Sequence, residues 1–162
     1  MKAFLDAENI ETFLPMTVKV TQHDGKMHRA IAPAISNLLF VRSTRSKITW
    51  LKQHTRAGEP LRYMMRQSVM TDSPAEIITV PDRQMDNFIK AATAMPDGVT
   101  FYDTCGESGQ KKNTVIITSG PFCGVRGVIK RIRGNKHVTI EIDGVAGLAI
   151  NFIPKSFIQE ER

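Results

Sequence analysis

Leu14, Met16, Val18 and Val20 alternate with Thr17, Lys19 and Thr21, and this period of two predicts a half-buried strand. Pro15 within it marks a sheet edge or a local irregularity. His23-Asp24-Gly25-Lys26 is a hairpin turn by its Asp-Gly pair, so the chain is expected to return through residues 27–34. Ahead of this ribbon, Met1, Phe4 and Leu5 make an i, i+3, i+4 stripe that predicts a short helix stopping at Asn9. The compact apolar run Leu38-Leu39-Phe40-Val41 predicts a buried strand. Ser43 or Thr44 then caps a helix with Ile48 and Leu51 inward and Lys47, Lys52 and Arg56 outward. Short strands are expected at 62–65 and 76–80, around a Thr71-Asp72-Ser73-Pro74 turn. Pro81 and Asp82 open the clearest helix, with Met85, Phe88, Ile89 and Ala92 on one stripe and Met95-Pro96-Asp97-Gly98 as its stop.

Beyond this point the pattern changes. Residues 103–113 (DTCGESGQKKN) are polar and glycine-bearing, and predict a linker. From Thr114 the periodicity is purely β. Val115-Ile116-Ile117, then Val125 to Ile132, then Val138, Ile140 and Ile142, then Leu148-Ala149-Ile150 are strands, separated by turns at Gly120-Pro121, 133–136 and Asp143-Gly144. Short strands at this spacing suit a small barrel. The predicted fold class is therefore α+β, with an α/β domain over 1–102, a linker over 103–113 and a β-barrel over 114–162.

Charge sharpens this division. The chain has 162 residues and a formal net charge of +6. No acid occurs from Gly25 to Gly58, where there are seven bases: Lys26, Arg29, Arg42, Arg45, Lys47, Lys52 and Arg56. No acid occurs from Ser108 to Ile140, which holds seven more: Lys111, Lys112, Arg126, Lys130, Arg131, Arg133 and Lys136. One basic stretch in each predicted domain points to a polyanionic partner.

Catalytic chemistry is not legible. His23, His28, His54 and His137 sit at turns or in basic segments, and the sequence contains no G-x-S-x-G and no H-E-x-x-H. Cys105 and Cys123 form no C-x-x-C, so neither a zinc site nor a disulfide framework is expected. Gly120, Gly124 and Gly127 lack the Gly-Lys-Ser/Thr and the following helix of a phosphate loop. No apolar run approaches 18 residues, and the acids at Asp6 and Glu8 are unlike a signal peptide. A non-enzymatic cytoplasmic protein with no cofactor, metal, membrane or small-molecule substrate is the expectation.

Residues 115–133, VIITSGPFCGVRGVIKRIR, resemble the KOW motif: a strand, Gly120-Pro121-Phe122, a small loop, the motif glycine at Gly127, and a basic strand carrying Arg131 and Arg133. The stretch 114–158, closing on Ile153-Pro154-Lys155-Ser156-Phe157-Ile158, resembles the SH3-like barrel of the NusG family of transcription factors. Asn9-Ile10-Glu11-Thr12-Phe13-Leu14-Pro15, Asn37-Leu38-Leu39-Phe40-Val41 and the 78–89 segment resemble that family's N-terminal domain. Nearly the whole chain is covered. The Ile-Ser-Asn-Leu sequence at 35–38 is closest to the specialised UpxY-like paralogs of polysaccharide operons. The family's opening Trp-Tyr-x-Val strand is not found ahead of the first helix, and a late start and a truncation are both open.

The resemblance implies docking on the clamp helices of RNA polymerase through Ile35, Leu38 and Phe40. It implies contact with upstream or non-template DNA through Arg42, Arg45, Lys47 and Lys52, with nascent RNA as an alternative partner of Arg126, Lys130, Arg131, Arg133 and Lys136 in the barrel. It implies that the barrel recruits Rho or a ribosomal protein, and that the whole suppresses pausing and termination, as an operon-specific antiterminator of the capsular or exopolysaccharide type. The rival expectation is a KOW-type RNA- or ribosome-binding module without polymerase contact.

Overall fold

Three non-glycine residues, Asn9, Asp24 and Asn37, take left-handed backbone angles (φ 55°, 51° and 60°). Asn and Asp tolerate this region better than other side chains, and here each sits where an element ends or a chain reverses. The computed structural model describes residues 1–66, 74–102, 104, 114–132 and 134–161. Among them the elements run α1 (Lys2–Ala7), β1 (Glu11–Phe13), β2 (Met16–His23), β3 (Lys26–Pro33), β4 (Phe40–Arg42), α2 (Arg45–His54), β5 (Met65–Arg66), β6 (Glu76–Ile77), α3 (Asp82–Ala94), β7 (Val99–Tyr102), β8 (Thr114–Ile117), β9 (Arg126–Ile132), β10 (Asn135–Ile142), β11 (Ala146–Ile150) and β12 (Ile158–Glu160). The protein is thus mixed α and β. Its contacts divide into two compact units, Met1–Leu14 with Asn37–Thr79, and Pro15–Ser36 with Val80–Arg162.

The first unit is built on Leu5 of α1, Ile10 and Leu51 of α2, all buried, with Phe4, Leu39, Val41, Ile48 and Leu61 packed around them. Asn9 ends α1 and lets Ile10 fold back beneath it, its amide bonded to the Leu5 carbonyl at 3.0 Å. β1 then pairs antiparallel with β4, setting Glu11 opposite Arg42 and Phe13 opposite Phe40. The strand expected at 38–41 begins only at Phe40. Asn37 turns the chain first, and Leu38 is buried ahead of the strand. Thr44 supplies the N-cap of α2, its Oγ1 accepting the Lys47 amide at 3.3 Å. At the other end the Thr55 hydroxyl donates to the Leu51 carbonyl at 2.7 Å. β5 and β6 are paired, and residues 71–73 of the expected turn lie outside the described residues.

In the second unit, β2 and β3 form an eight-pair hairpin from Met16 opposite Pro33 to His23 opposite Lys26. Asp24 and Gly25 both have positive φ, the geometry of a type I′ turn. The hairpin is placed as the alternation predicts, but its apolar face is not half-buried. Val18 is half-covered, while Met16, Val20, Met27 and Ile31 are exposed, Ile31 by 74%. The ribbon pairs with no third strand among the described residues and remains a two-stranded sheet.

The remaining strands make one antiparallel sheet in the order β12-β8-β9-β10-β11-β7. Its core comprises Val115, Ile117, Val125, Val138, Ile140, Ile142, Leu148 and Ile150. α3 buries Phe88, Ala91 and Ala92, and the Phe88 ring meets Phe101 of β7 edge-on at 6.3 Å. Two amides of α3 fasten the helix to the sheet. Asn87 donates to the Arg126 carbonyl (2.7 Å) and accepts the Arg126 amide (2.8 Å), and Gln84 donates to the Glu141 carbonyl (2.9 Å). These bonds, with the β7–β11 pairing, tie 82–102 to strands on the far side of the expected 103–113 linker. Apart from Thr104, that linker lies outside the described residues.

Candidate functional site

α2 has no acidic residue in its sequence and exposes most of its length. Leu51 is buried and Ile48 half-buried, which fixes the rotation of the helix and turns the rest outward. Arg45 and Lys47 are exposed, and Lys47 Nζ donates to the Glu8 carbonyl at 2.9 Å. Arg42 at the end of β4 lies 3.4 Å from Glu11, an exposed pair of little net energy. Lys52 is half-buried, with Nζ 4.5 Å from the centroid of the Tyr63 ring. The Tyr63 hydroxyl is within 2.9 Å of Thr49 Oγ1. The four expected nucleic-acid residues, Arg42, Arg45, Lys47 and Lys52, thus fall on one helix and the strand leading into it.

Two residues on this face are absent from the sequence expectations. Trp50 is 54% exposed, and its ring lies parallel to His54, 5.1 Å away with 13° between planes. His54 Nδ1 sits 2.9 Å from the Trp50 carbonyl, which fixes the ring one turn along. The signal was available: positions 50 and 54 are i, i+4 and lie off the inward stripe set by the apolar positions 48 and 51, on the polar side of the helix.

The expected apolar anchors do not share one environment. Leu38 is buried at 8% exposure, and Phe40 is half-buried with its ring 6.3 Å from Phe13. Both belong to the first unit, whereas Ile35, also half-buried, belongs to the second.

The Gly-Pro-Phe segment forms the turn between β8 and β9. Gly120 has φ 83° and Pro121 is exposed, while Phe122 is buried beneath the turn. At Gly127 a Cβ would stand 2.6 Å from Val138 Cγ1 and 2.8 Å from the Thr139 carbonyl oxygen, so β10 crosses too closely for any side chain. Arg131 is exposed and paired in register with the exposed Lys136. Arg133, Lys111 and Lys112 lie outside the described residues. Two further bases of this stretch are engaged internally: Arg126 bonds Glu161 at 3.0 Å, and Lys130 bonds Glu141 at 2.6 Å. Glu141 is nearly buried and also accepts the Tyr102 hydroxyl at 2.5 Å. The second basic stretch is therefore less available than its sequence suggests.

Fold and site together define a mixed α/β protein that presents a cationic helix with an exposed, pre-stacked aromatic pair. No family model, curated protein or solved structure matches the chain. Among the described residues, no helix is long and apolar enough to cross a membrane.

Proposed function

We propose that the chain is a NusG-type regulator of transcription elongation, with an N-terminal NusG-like domain and a KOW-type SH3-like barrel. In this reading it rides on RNA polymerase and suppresses pausing and termination within a particular polysaccharide operon. The observation that carries the reading is the 115–132 segment. Gly-Pro-Phe makes the turn after β8, Phe122 is its buried plug, and Gly127 lies where β9 and β10 approach too closely for a side chain. These are the physical demands to which a strand–Gly-Pro-Phe–Gly–basic strand pattern corresponds.

The exposed cations of α2 support the nucleic-acid half of the reading. Lys and Arg contacts to phosphate position a protein on DNA without reading its sequence. Ile35 is the most testable of the proposed clamp-helix anchors, because Leu38 already serves as core. No catalytic step, cofactor or small-molecule substrate belongs to this function.

A second reading has one observation in its favour. Arg131 and Lys136 stand side by side and exposed at the β9–β10 end, as suits a KOW-type module that binds RNA or the ribosome alone. One experiment separates the two. The immobilised full chain is exposed to core RNA polymerase, and single-round transcription through a terminator is followed with and without it. The polymerase reading expects retention of the enzyme, increased read-through, and roughly tenfold weaker retention for Ile35→Asp, the loss of one apolar anchor. Absence of retention with unchanged termination sinks it.

A further inference from the structure

We propose that Trp50 and His54 form a stacking platform for the unpaired bases of a nucleic-acid strand, whose phosphate backbone is met by Lys47 on the same face of α2. The proposal rests on the reading of α2 as a nucleic-acid face and goes past it, because phosphate contact alone needs no aromatic ring.

Four observations converge on it. Trp50 is the single tryptophan of the chain, yet more than half of it faces solvent in the middle of a helix whose aliphatic side chains turn inward. Its ring is already stacked on His54, and His54 is fixed by the Trp50 carbonyl. Less rotamer freedom is then lost when a base adds to the stack. Its helical neighbours at i±3 and i±4 are Ser46, Lys47, Gln53 and His54, so no contiguous apolar patch surrounds the ring. An amphipathic protein helix would find nothing to bury there beyond one indole, whereas a base needs only the flat face. Finally, the stripe itself carries charge. Lys47 shares the stripe of Trp50 and His54 and is exposed, whereas Arg45 and Lys52 lie on the far side of the helix, where Lys52 is half-buried over Tyr63. A cation beside exposed rings is the arrangement by which proteins hold single strands with little sequence preference. A duplex keeps its base faces stacked inside and cannot use the platform.

The test uses the full chain and its own reporter. Oligo(dT) and oligo(U) of about 12 nucleotides, a length within the usual single-strand site range, are titrated at low salt while the fluorescence of Trp50 is followed. Saturable quenching by a single strand, and little by a duplex of equal length, is expected. Trp50→Ala should weaken binding of a dye-labelled single strand by roughly 5- to 150-fold, and Trp50→Phe by less. Circular dichroism of both variants verifies that α2 persists, and the phenylalanine variant keeps the test valid if the alanine variant does not fold. Equal quenching by duplex and single strand overturns the platform, as does unaltered affinity in both variants. Polymerase retention by Trp50→Phe is measured alongside. Retention with oligonucleotide affinity unchanged in both variants overturns the platform while leaving the transcription reading standing. Loss of retention by the unaltered chain overturns that reading independently.

Discussion

Gly127 illustrates how a single atom constrains this chain. A methyl group there would meet Val138 Cγ1 and the Thr139 carbonyl oxygen, and the backbone oxygen belongs to the sheet and cannot swing aside. Gly127→Ala is expected to cost about 1–3 kcal/mol through forced separation of β9 and β10, read as a lowered urea midpoint. Asp6 gives a second test. Lys2 Nζ reaches its two carboxylate oxygens at 2.8 and 3.0 Å and Thr12 Oγ1 donates at 3.0 Å, and these bonds hold the carboxyl below its usual value of 3.8. A depressed folded-state pKa stabilises the fold above the unfolded value and loses that contribution as the pH falls through the folded one. Asp6→Asn should therefore be less stable than the parent near neutrality and converge with it once the pH has fallen through the lowered folded-state value, in paired urea titrations. The site is exposed, so the gap should be small and should narrow further with added salt. The sequence displays Lys2 and Asp6 as an i, i+4 pair, but it gives no sign that Thr12 turns back to join them.

At the level of elements, helices and turns follow from local pattern and the long-range pairings do not. The stripe of Met85, Phe88, Ile89 and Ala92 was enough to locate α3, and Asp24-Gly25 was enough to close the β2–β3 hairpin. β7 escaped, because Val99-Thr100-Phe101-Tyr102 is too short to show a period and its partner β11 begins more than forty residues later. The attachment of α3 was equally hidden, since Asn87 and Gln84 look like ordinary polar positions of an exposed helix face. Asn87 occupies both backbone groups of Arg126, much as a neighbouring strand would. Asn87→Ala is expected to cost about 1–2 kcal/mol, discounted because the site is half-buried and water can replace part of the loss. Lys130→Ala should cost about 2 kcal/mol, because it leaves the nearly buried Glu141 carboxylate with less compensation. Chemical denaturation measures both, and a double substitution at 87 and 130 should be near-additive, since neither side chain bonds the other.

For the whole molecule, the +6 charge is decided by position rather than by sum. Of the two acid-free stretches, the one that includes α2 keeps Arg42, Arg45 and Lys47 exposed, whereas the other pairs Arg126 with the exposed Glu161 and Lys130 with the nearly buried Glu141. Binding to a single strand is therefore expected to depend chiefly on α2. If Arg42, Arg45, Lys47 and Lys52 all meet phosphates, log K should fall against log salt with a slope of about −3. Replacing Lys47 and Lys52 by Gln should reduce that slope by about half, measured by anisotropy across a salt series. The same pair of substitutions should lower stability by only about 1 kcal/mol, read from urea unfolding, because each lysine gives up a single contact, with the Glu8 carbonyl and with the Tyr63 ring.

The sequence by itself determined the mixed α and β character, the hairpin and its turn, the frames of α2 and α3, and the strands from β8 to β11. These depend on interactions within a few residues, where spacing records which side faces a core. Only the tertiary structure decided that the hairpin's apolar face is open, that Leu38 is buried ahead of its strand rather than within it, and that β7 joins the sheet beside β11. It alone also decided that Lys130 is neutralised by Glu141 while Lys47 and Arg45 stay outside, and that Trp50 faces water with His54 stacked on it. The physical reason is common to all of these. Burial and ion pairing are set by partners far away in the chain, and a one-dimensional pattern names the residues that need a neighbour without saying which neighbour they find.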